Sequence, residues 1–199
     1  YVNLVDEGID VAVRIGTLAD SSLVALPLGT VRTRVVAAPA WLQRHGAPAG
    51  PAALRGCECL DYSGERSVEW RFQQDGRRLR VPVQGRLRFN HAGAALRACE
   101  AGAGIGRFLS YQLHEALAAG RLRVLLSDFE LPPEPVQLVL PQTRLLPART
   151  RAFIDTARAA LVPLLQDLDQ VRTAPTGTAA CARAPAPRPP AGAPPGPSS

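Results

Sequence analysis

The chain has 199 residues, 46% of them hydrophobic, and a formal net charge of +6, which suits one large domain or two small lobes. No run approaches the ~18 apolar residues of a membrane span, excluding a helical membrane protein. The start, Tyr1-Val2-Asn3, carries no secretory signal, and its lack of Met suggests that the beginning of the gene product is missing.

All 23 basic residues are arginine, scattered from Arg14 to Arg188, so the excess charge reads as coding bias rather than a nucleic-acid face. The tightest group, Arg77, Arg78, Arg80, Arg86 and Arg88, falls on a strand-like stretch and reads as a solvated face.

Along the chain, strands and helices alternate, which predicts an α/β fold with helices on both sheet faces. Residues 1–7 read as the end of a helix stopped by Gly8. Ile9 to Gly16 reads as a strand, apolar at every odd position, and Thr17 to Ser22 as a polar turn. Leu23 to Leu28 is a short apolar run. Thr33 to Ala38 is a second strand, and Pro39 opens a helix over 40–45. A small helix is expected near Pro51–Arg55.

Glu69 to Asp75 and Arg77 to Asn90 read as a hairpin turning at Asp75-Gly76. Asn90 or His91 then caps a helix over 92–101, stopped by Gly102. A strand over 105–109, a helix over 111–119 and a strand over 122–126 follow. Pro132, Pro133 and Pro135 stiffen the connection to a last strand over 136–140. The longest helix spans 150–168, with Phe153, Ile154, Ala157, Ala160, Leu161, Leu164, Leu165 and Leu168 as its apolar stripe. Pro163 is expected to kink or break it. From Val171 the last 29 residues hold eight prolines and no aromatic, the composition of a disordered tail.

No catalytic constellation emerges. Gly102-Ala103-Gly104-Ile105-Gly106 follows a helix and leads into a strand, the reverse of a dinucleotide fingerprint. No GxSxG elbow is present, and His45, His91 and His114 sit in unrelated settings. Cys57, Cys59, Cys99 and Cys181 lack the paired spacing of a zinc site and suit a reducing cytoplasm as small buried groups. Neither metal nor cofactor is expected. What remains is a ligand site at strand ends and helix N-termini, which suit small anions. Its candidates are Thr17, Ser21, Ser22, Ala38, Asn90 and His91, with Arg107 placed to pair with a carboxylate.

The ordered motifs resemble one family. Residues 2–16 (VNLVDEGIDVAVRIG), then Ser21-Ser22-Leu23 and Pro27-Leu28-Gly29, are similar to the effector-binding domain of LysR-type transcriptional regulators. The similarity continues through Ala38-Pro39-Ala40-Trp41-Leu42, His45-Gly46, Cys59-Leu60, Trp70-Arg71-Phe72, Ala101 to Gly106, Leu109-Ser110-Tyr111-Gln112 and Gly120-Arg121-Leu122. It closes with Val136 to Pro141 and Arg149 to Asp155, covering residues 1–168.

The resemblance implies a type 2 periplasmic-binding-protein-like fold, two α/β lobes around a ligand cleft. Lobe one would take residues 1–36 and 139–168, lobe two residues 37–138, and residues 169–199 would form the tail. Crossover strands near Val35-Val36 and Val139-Leu140 would form the hinge. A small-molecule inducer, with a carboxylate preferred, would bind between the lobes of a cytoplasmic homo-oligomer. The family's winged helix-turn-helix and the first strand–helix–strand of lobe one have no counterpart here. Lobe one is therefore expected to be incomplete, and operator DNA to be reached only through the absent N-terminal domain. The alternative is a free solute-binding protein of a transport system, which shares the fold.

Overall fold

Among the described residues, apolar residues alternating along short strands build two three-stranded sheets and a two-stranded hairpin, and the chain passes twice between the two larger sheets. The computed structural model describes residues 8–18, 23–62, 68–142 and 146–169. Its elements are β1 (Ala12–Ile15), β2 (Leu23–Val31), β3 (Thr33–Ala37), α1 (Pro39–His45), β4 (Val68–Gln74), β5 (Arg77–Val83), α2 (Ala92–Glu100), β6 (Gly106–Leu109), α3 (Ser110–Ala118), β7 (Arg123–Leu125), β8 (Glu134–Pro141) and α4 (Ala148–Asp169). Short 3-10 helices cover Pro51–Gly56 and Ser127–Phe129. The expected helix end over 1–7, Ser21, Ser22 and the Pro-rich tail lie outside the described residues.

The first sheet is antiparallel, in the order β1-β8-β2. Its middle strand carries Val136, Leu138, Val139 and Leu140, all buried, and is paired on both edges. Ile154 and Leu165 of α4 bury against Leu28, Val31, Val136, Leu138 and Leu140. Two expectations for α4 need correction. Phe153 and Leu164 are about half exposed, at 53% and 50%, and Ala160 is exposed too. The helix touches the sheet along a single line, and residues one position away turn about 100° off it. Nor does Pro163 break the helix, which continues to Asp169. The carbonyl left without its partner belongs to Ala159, which is exposed and open to water.

The second sheet has the antiparallel order β6-β3-β7. A parallel bridge between Cys59 and Ile105 extends it, with Leu60 N–H donating to the Ile105 carbonyl at 2.8 Å and Ile105 N–H to that of Glu58 at 2.9 Å. Both faces are covered. Val35 and Ala37 pack against Trp41, Leu54, Trp70 and Phe72, bringing α1, the first 3-10 helix and the β4–β5 hairpin onto one side. Val36 and Ala38 pack against Ala95, Cys99, Phe108 and Leu113, so α2 and α3 cover the other.

The hairpin turns at Asp75 and Gly76, both with positive φ, the backbone of a tight two-residue turn. Its second strand stops at Val83 rather than Asn90. There Gly85 comes so close to the next segment that an added Cβ would lie 1.8 Å from the Cys59 carbonyl oxygen, and the chain runs on beside residues 59–61, where Arg88 bridges Asp61. The 102–106 glycines serve packing. An added Cβ at Gly104 would meet the Glu58 carbonyl at 2.6 Å, and one at Gly106 the Phe108 ring at 2.2 Å.

The chain passes from the first sheet to the second at Arg32, between β2 and β3, and returns through Leu131-Pro132-Pro133 before β8. Val35-Val36 and Val139-Leu140, expected near the hinge as crossover strands, lie within β3 and β8. The first crossing is clamped. Arg32 N–H donates to Ser110 Oγ at 3.2 Å, and Ser110 N–H donates to the Arg32 carbonyl at 2.8 Å.

Candidate functional site

The junction between the sheets gathers polar side chains from sequence-distant elements. On the first sheet, β1 ends at Gly16, whose N–H donates to the Pro135 carbonyl at 2.9 Å. Gln137 Nε2 donates to the Gly16 carbonyl at 3.0 Å, and a Cβ at Gly16 would lie 3.6 Å from Glu134 Oε2. Thr17 follows, exposed. The β1 end and the β8 start are thereby fixed side by side where the chain returns from the second sheet.

On the second sheet the central group is Arg107. It stands on β6 opposite Val35, half-buried, with its guanidinium carbon 5.6 Å from the centroid of the Trp70 ring, a cation–π distance. Burial lowers its pKa, the Tyr62 phenol opposes that shift, and Arg71 adds to it; Glu134 and Asp61 contribute smaller supporting charge. Glu134 belongs to the first sheet, so Arg107 feels groups from both sides of the junction. Among the described residues no carboxylate lies within ion-pair distance of it.

Tyr62 stacks on Phe108 at 5.6 Å between centroids. Burial raises its phenol pKa, partly offset by Arg107. Asp61 pairs with Arg88 at 3.2 Å, and its carbonyl accepts from Phe89 N–H at 2.8 Å, which lays the approach to Asn90 alongside Asp61-Tyr62.

The other sequence-predicted residues divide. Asn90 and His91 are exposed. His91 caps α2, its Nδ1 accepting from Gly93 N–H at 3.1 Å, so that nitrogen is committed to its own helix. Ala38 is buried, and its carbonyl accepts from the N–H groups of Trp41 and Leu42 at the start of α1. Thr17 and Arg107 lie on the two sides of the junction, and Ser21 and Ser22 lie outside the described residues.

Sequence reasoning missed Tyr62, Trp70 and Glu134. Trp70 read as a strand residue within a motif of the resemblance, not as a site residue, and nothing in spacing links residue 62 to 107. The Cys59–Ile105 bridge makes that link.

Beneath Asp61 and Arg88 lies a cavity of about 110 Å³, also lined by Cys59, Val68 and Val83. It is well below the ~300 Å³ of a typical small-molecule pocket and suits a few waters. Cys57, Cys59 and Cys99 are buried free thiols. Cys99 faces the Val36 and Gly104 carbonyls at 3.5 and 3.4 Å, and burial pushes its pKa up to about 12. Among the described residues no group of three or more His, Cys, Asp or Glu side chains could hold a metal ion, and no helix is long and apolar enough to cross a membrane.

Comparison with known proteins shows the family of the chain. The family model described as the LysR substrate binding domain matches residues 1–162. A probable HTH-type transcriptional regulator LtrA of Klebsiella pneumoniae is 33% identical over 159 residues, covering 77% of this chain and 51% of that protein. The HTH-type transcriptional activator AaeR of Escherichia coli (strain K12) is 31% identical over 155 residues, covering 77% and 50%. The chain thus spans about half the length of the curated relatives it matches. Among solved structures, the regulatory domain of AphB from Vibrio vulnificus superposes with a TM-score of 0.67 at 27% identity, covering 77% of this chain and 76% of that one. That of CrgA, from Neisseria meningitidis, gives 0.68 at 27% identity, covering 81% and 79%.

Proposed function

Because the chain belongs to the LysR substrate-binding domain family and has its type 2 periplasmic-binding-protein-like α/β fold, we propose that it is the effector-sensing part of a cytoplasmic DNA-binding transcriptional regulator. The relatives described above are transcriptional regulators, which favours this reading over a transport solute-binding protein. In this reading the whole regulator reaches DNA through the half of its length that this chain does not span, and works as a homo-oligomer. The effector binds at the junction between the sheets, lobe one being built on the β1-β8-β2 sheet and lobe two on the β6-β3-β7 sheet. Closure of the lobes on the effector carries the signal.

The observation that carries the ligand class is Arg107, a half-buried cation on an aromatic ring with no carboxylate at ion-pair distance among the described residues. A desolvated cation of this kind is best satisfied by an anion from outside. A small carboxylate therefore anchors on Arg107, with Trp70 and Tyr62 offering ring surface beside it and Thr17 and Asn90 hydrogen-bonding groups at the margins.

The test is a thermal-shift panel of aliphatic and aromatic carboxylates against the amides of the same skeletons. Carboxylates should raise Tm and amides should not, and Arg107→Gln should abolish the shift while unfolding at an unchanged temperature without ligand. A carboxylate shift that persists in Arg107→Gln removes Arg107 from the site.

A further inference from the structure

The two crossings between the sheets differ in how well their groups are satisfied. At the first, Arg32 exchanges hydrogen bonds with Ser110, and the neighbouring Leu109 packs against the first-sheet core. The return crossing is entered through residues 126–130, which carry three separate costs. Leu126 takes left-handed backbone angles, φ 58° and ψ 33°, which crowd the Cβ of a leucine against its own backbone. Ser127 Oγ is buried with no hydrogen-bond partner among the described residues. The same holds for Glu130 Oε1, an oxygen of the group type that loses most when taken out of water unpaired. Such features persist only where the surroundings over-determine them, and they concentrate in segments that switch.

The surroundings here are firm. Leu126 is buried in the cluster around Trp41 and Trp70, and Phe129 packs against that cluster. Phe129 N–H donates to the Leu126 carbonyl at 3.0 Å, and Glu130 N–H to the Ser127 carbonyl at 3.2 Å. Hydrophobic contacts therefore hold the turn in place while two of its polar atoms stay unpaired.

The charges that act on Glu130 come from the first crossing and the strand after it. They are Arg34 of β3, which is buried, and then Arg32. β4 also packs on this turn, but its charged Glu69 and Arg71 are exposed, as is Asp128 on the turn itself. Burial raises the Glu130 pKa, and the two arginines offset that rise only in part. Proton uptake removes a buried charge. The packed arrangement is therefore favoured at low pH and loses that advantage as pH rises through the raised pKa.

We propose that Glu130 makes the return crossing a proton-responsive latch. Protonated, it keeps residues 126–130 packed on the second sheet; ionised, it favours their release toward water. Pro132 and Pro133 stiffen the chain that follows, so displacement of the turn passes on to β8, the middle strand of the first sheet. One side chain thereby biases the relation between the two sheets without an effector. The inference goes beyond the effector reading and uses none of Arg107, Trp70, Tyr62 or Thr17 as a working part.

The experiment is hydrogen exchange of the Phe129 and Glu130 amides in the intact 199-residue chain, without ligand, at about pH 4.5 and about pH 8. Rates are corrected for intrinsic exchange and compared with the Val36 amide, which reports opening of the whole second sheet. Relative to Val36, both amides should lose protection at least about threefold at the higher pH. Glu130→Gln keeps the shape of the side chain without its charge, and should leave both amides protected at either pH. Asp128→Asn removes the exposed carboxyl of the same turn and should leave the pH dependence intact. Protection in the wild type that does not change with pH overturns the proposal. So does a pH dependence that survives Glu130→Gln, or one that vanishes in Asp128→Asn.

Discussion

The second sheet is buried from both sides, the first chiefly from one. On the second, Val35 and Val36 point to opposite faces and each meets a packed cluster. On the first, α4 packs on one face, Val139 is buried on the other, and Val13, Val24, Phe153 and Leu164 remain exposed. Both are built from short apolar strands, so strand composition does not separate them. What does is the number of elements returned to each: the segment from β3 to the second 3-10 helix supplies the second sheet with three helices and a hairpin before the chain leaves. The second unit should therefore carry most of the stability, and the first should depend on what docks beside it.

The sharpest way to break this comparison is Phe108→Ala. The ring is fully buried, fills the space over Gly106 and stacks on Tyr62, so its removal should cost about 3–5 kcal/mol. Val24→Ala in the first sheet should cost no more than about 0.5 kcal/mol. Urea denaturation of both variants makes the measurement, and equal losses would end the distinction.

A second test uses alkali. Folding holds the Cys99 proton until about pH 12, whereas an unfolded thiol releases it near pH ~8.5. Between those values the native state binds the extra proton, so stability falls as pH rises, by up to about 1.4 kcal/mol per unit. Below pH 8 both states are protonated and the effect vanishes. The urea midpoint should drop more steeply from pH 8 to 10 in the wild type than in Cys99→Ala.

The smallest effect is expected on the outer flank of α4. Phe153→Ser should change stability by less than about 0.5 kcal/mol, while Ile154→Ala, one residue away and buried, should cost about 2 kcal/mol or more. Thermal unfolding of the pair measures how one-sided this helix is.

Most of the elements were legible because each is announced locally. Asp75-Gly76 turned the hairpin, Pro39 opened α1, and Gly102 and Gly120 followed α2 and α3 with positive φ. The end of β5 was not legible, since alternation continues past Val83 and only the approach of Gly85 to Cys59, 26 residues earlier, stops the strand. The α4 stripe erred for a related reason: periodicity marks an apolar face but cannot tell how much sheet lies beneath it. At the candidate site, Arg107 was legible as a cation after a glycine run. Its neighbours were not, because Tyr62, Trp70 and Glu134 meet it through sheet pairing and the return crossing, which leave no mark in local spacing.

The two crossings, at Arg32 and at Leu131-Pro132-Pro133, make the second unit an insertion within the first. Its residues are continuous in sequence, so it can form as soon as they leave the ribosome, whereas β1 and β2 must wait for β8 to be synthesised before they have a strand to pair with. Order of synthesis and order of stability then agree: the better-buried unit is completed first, and the sheet whose strands flank it in sequence closes last.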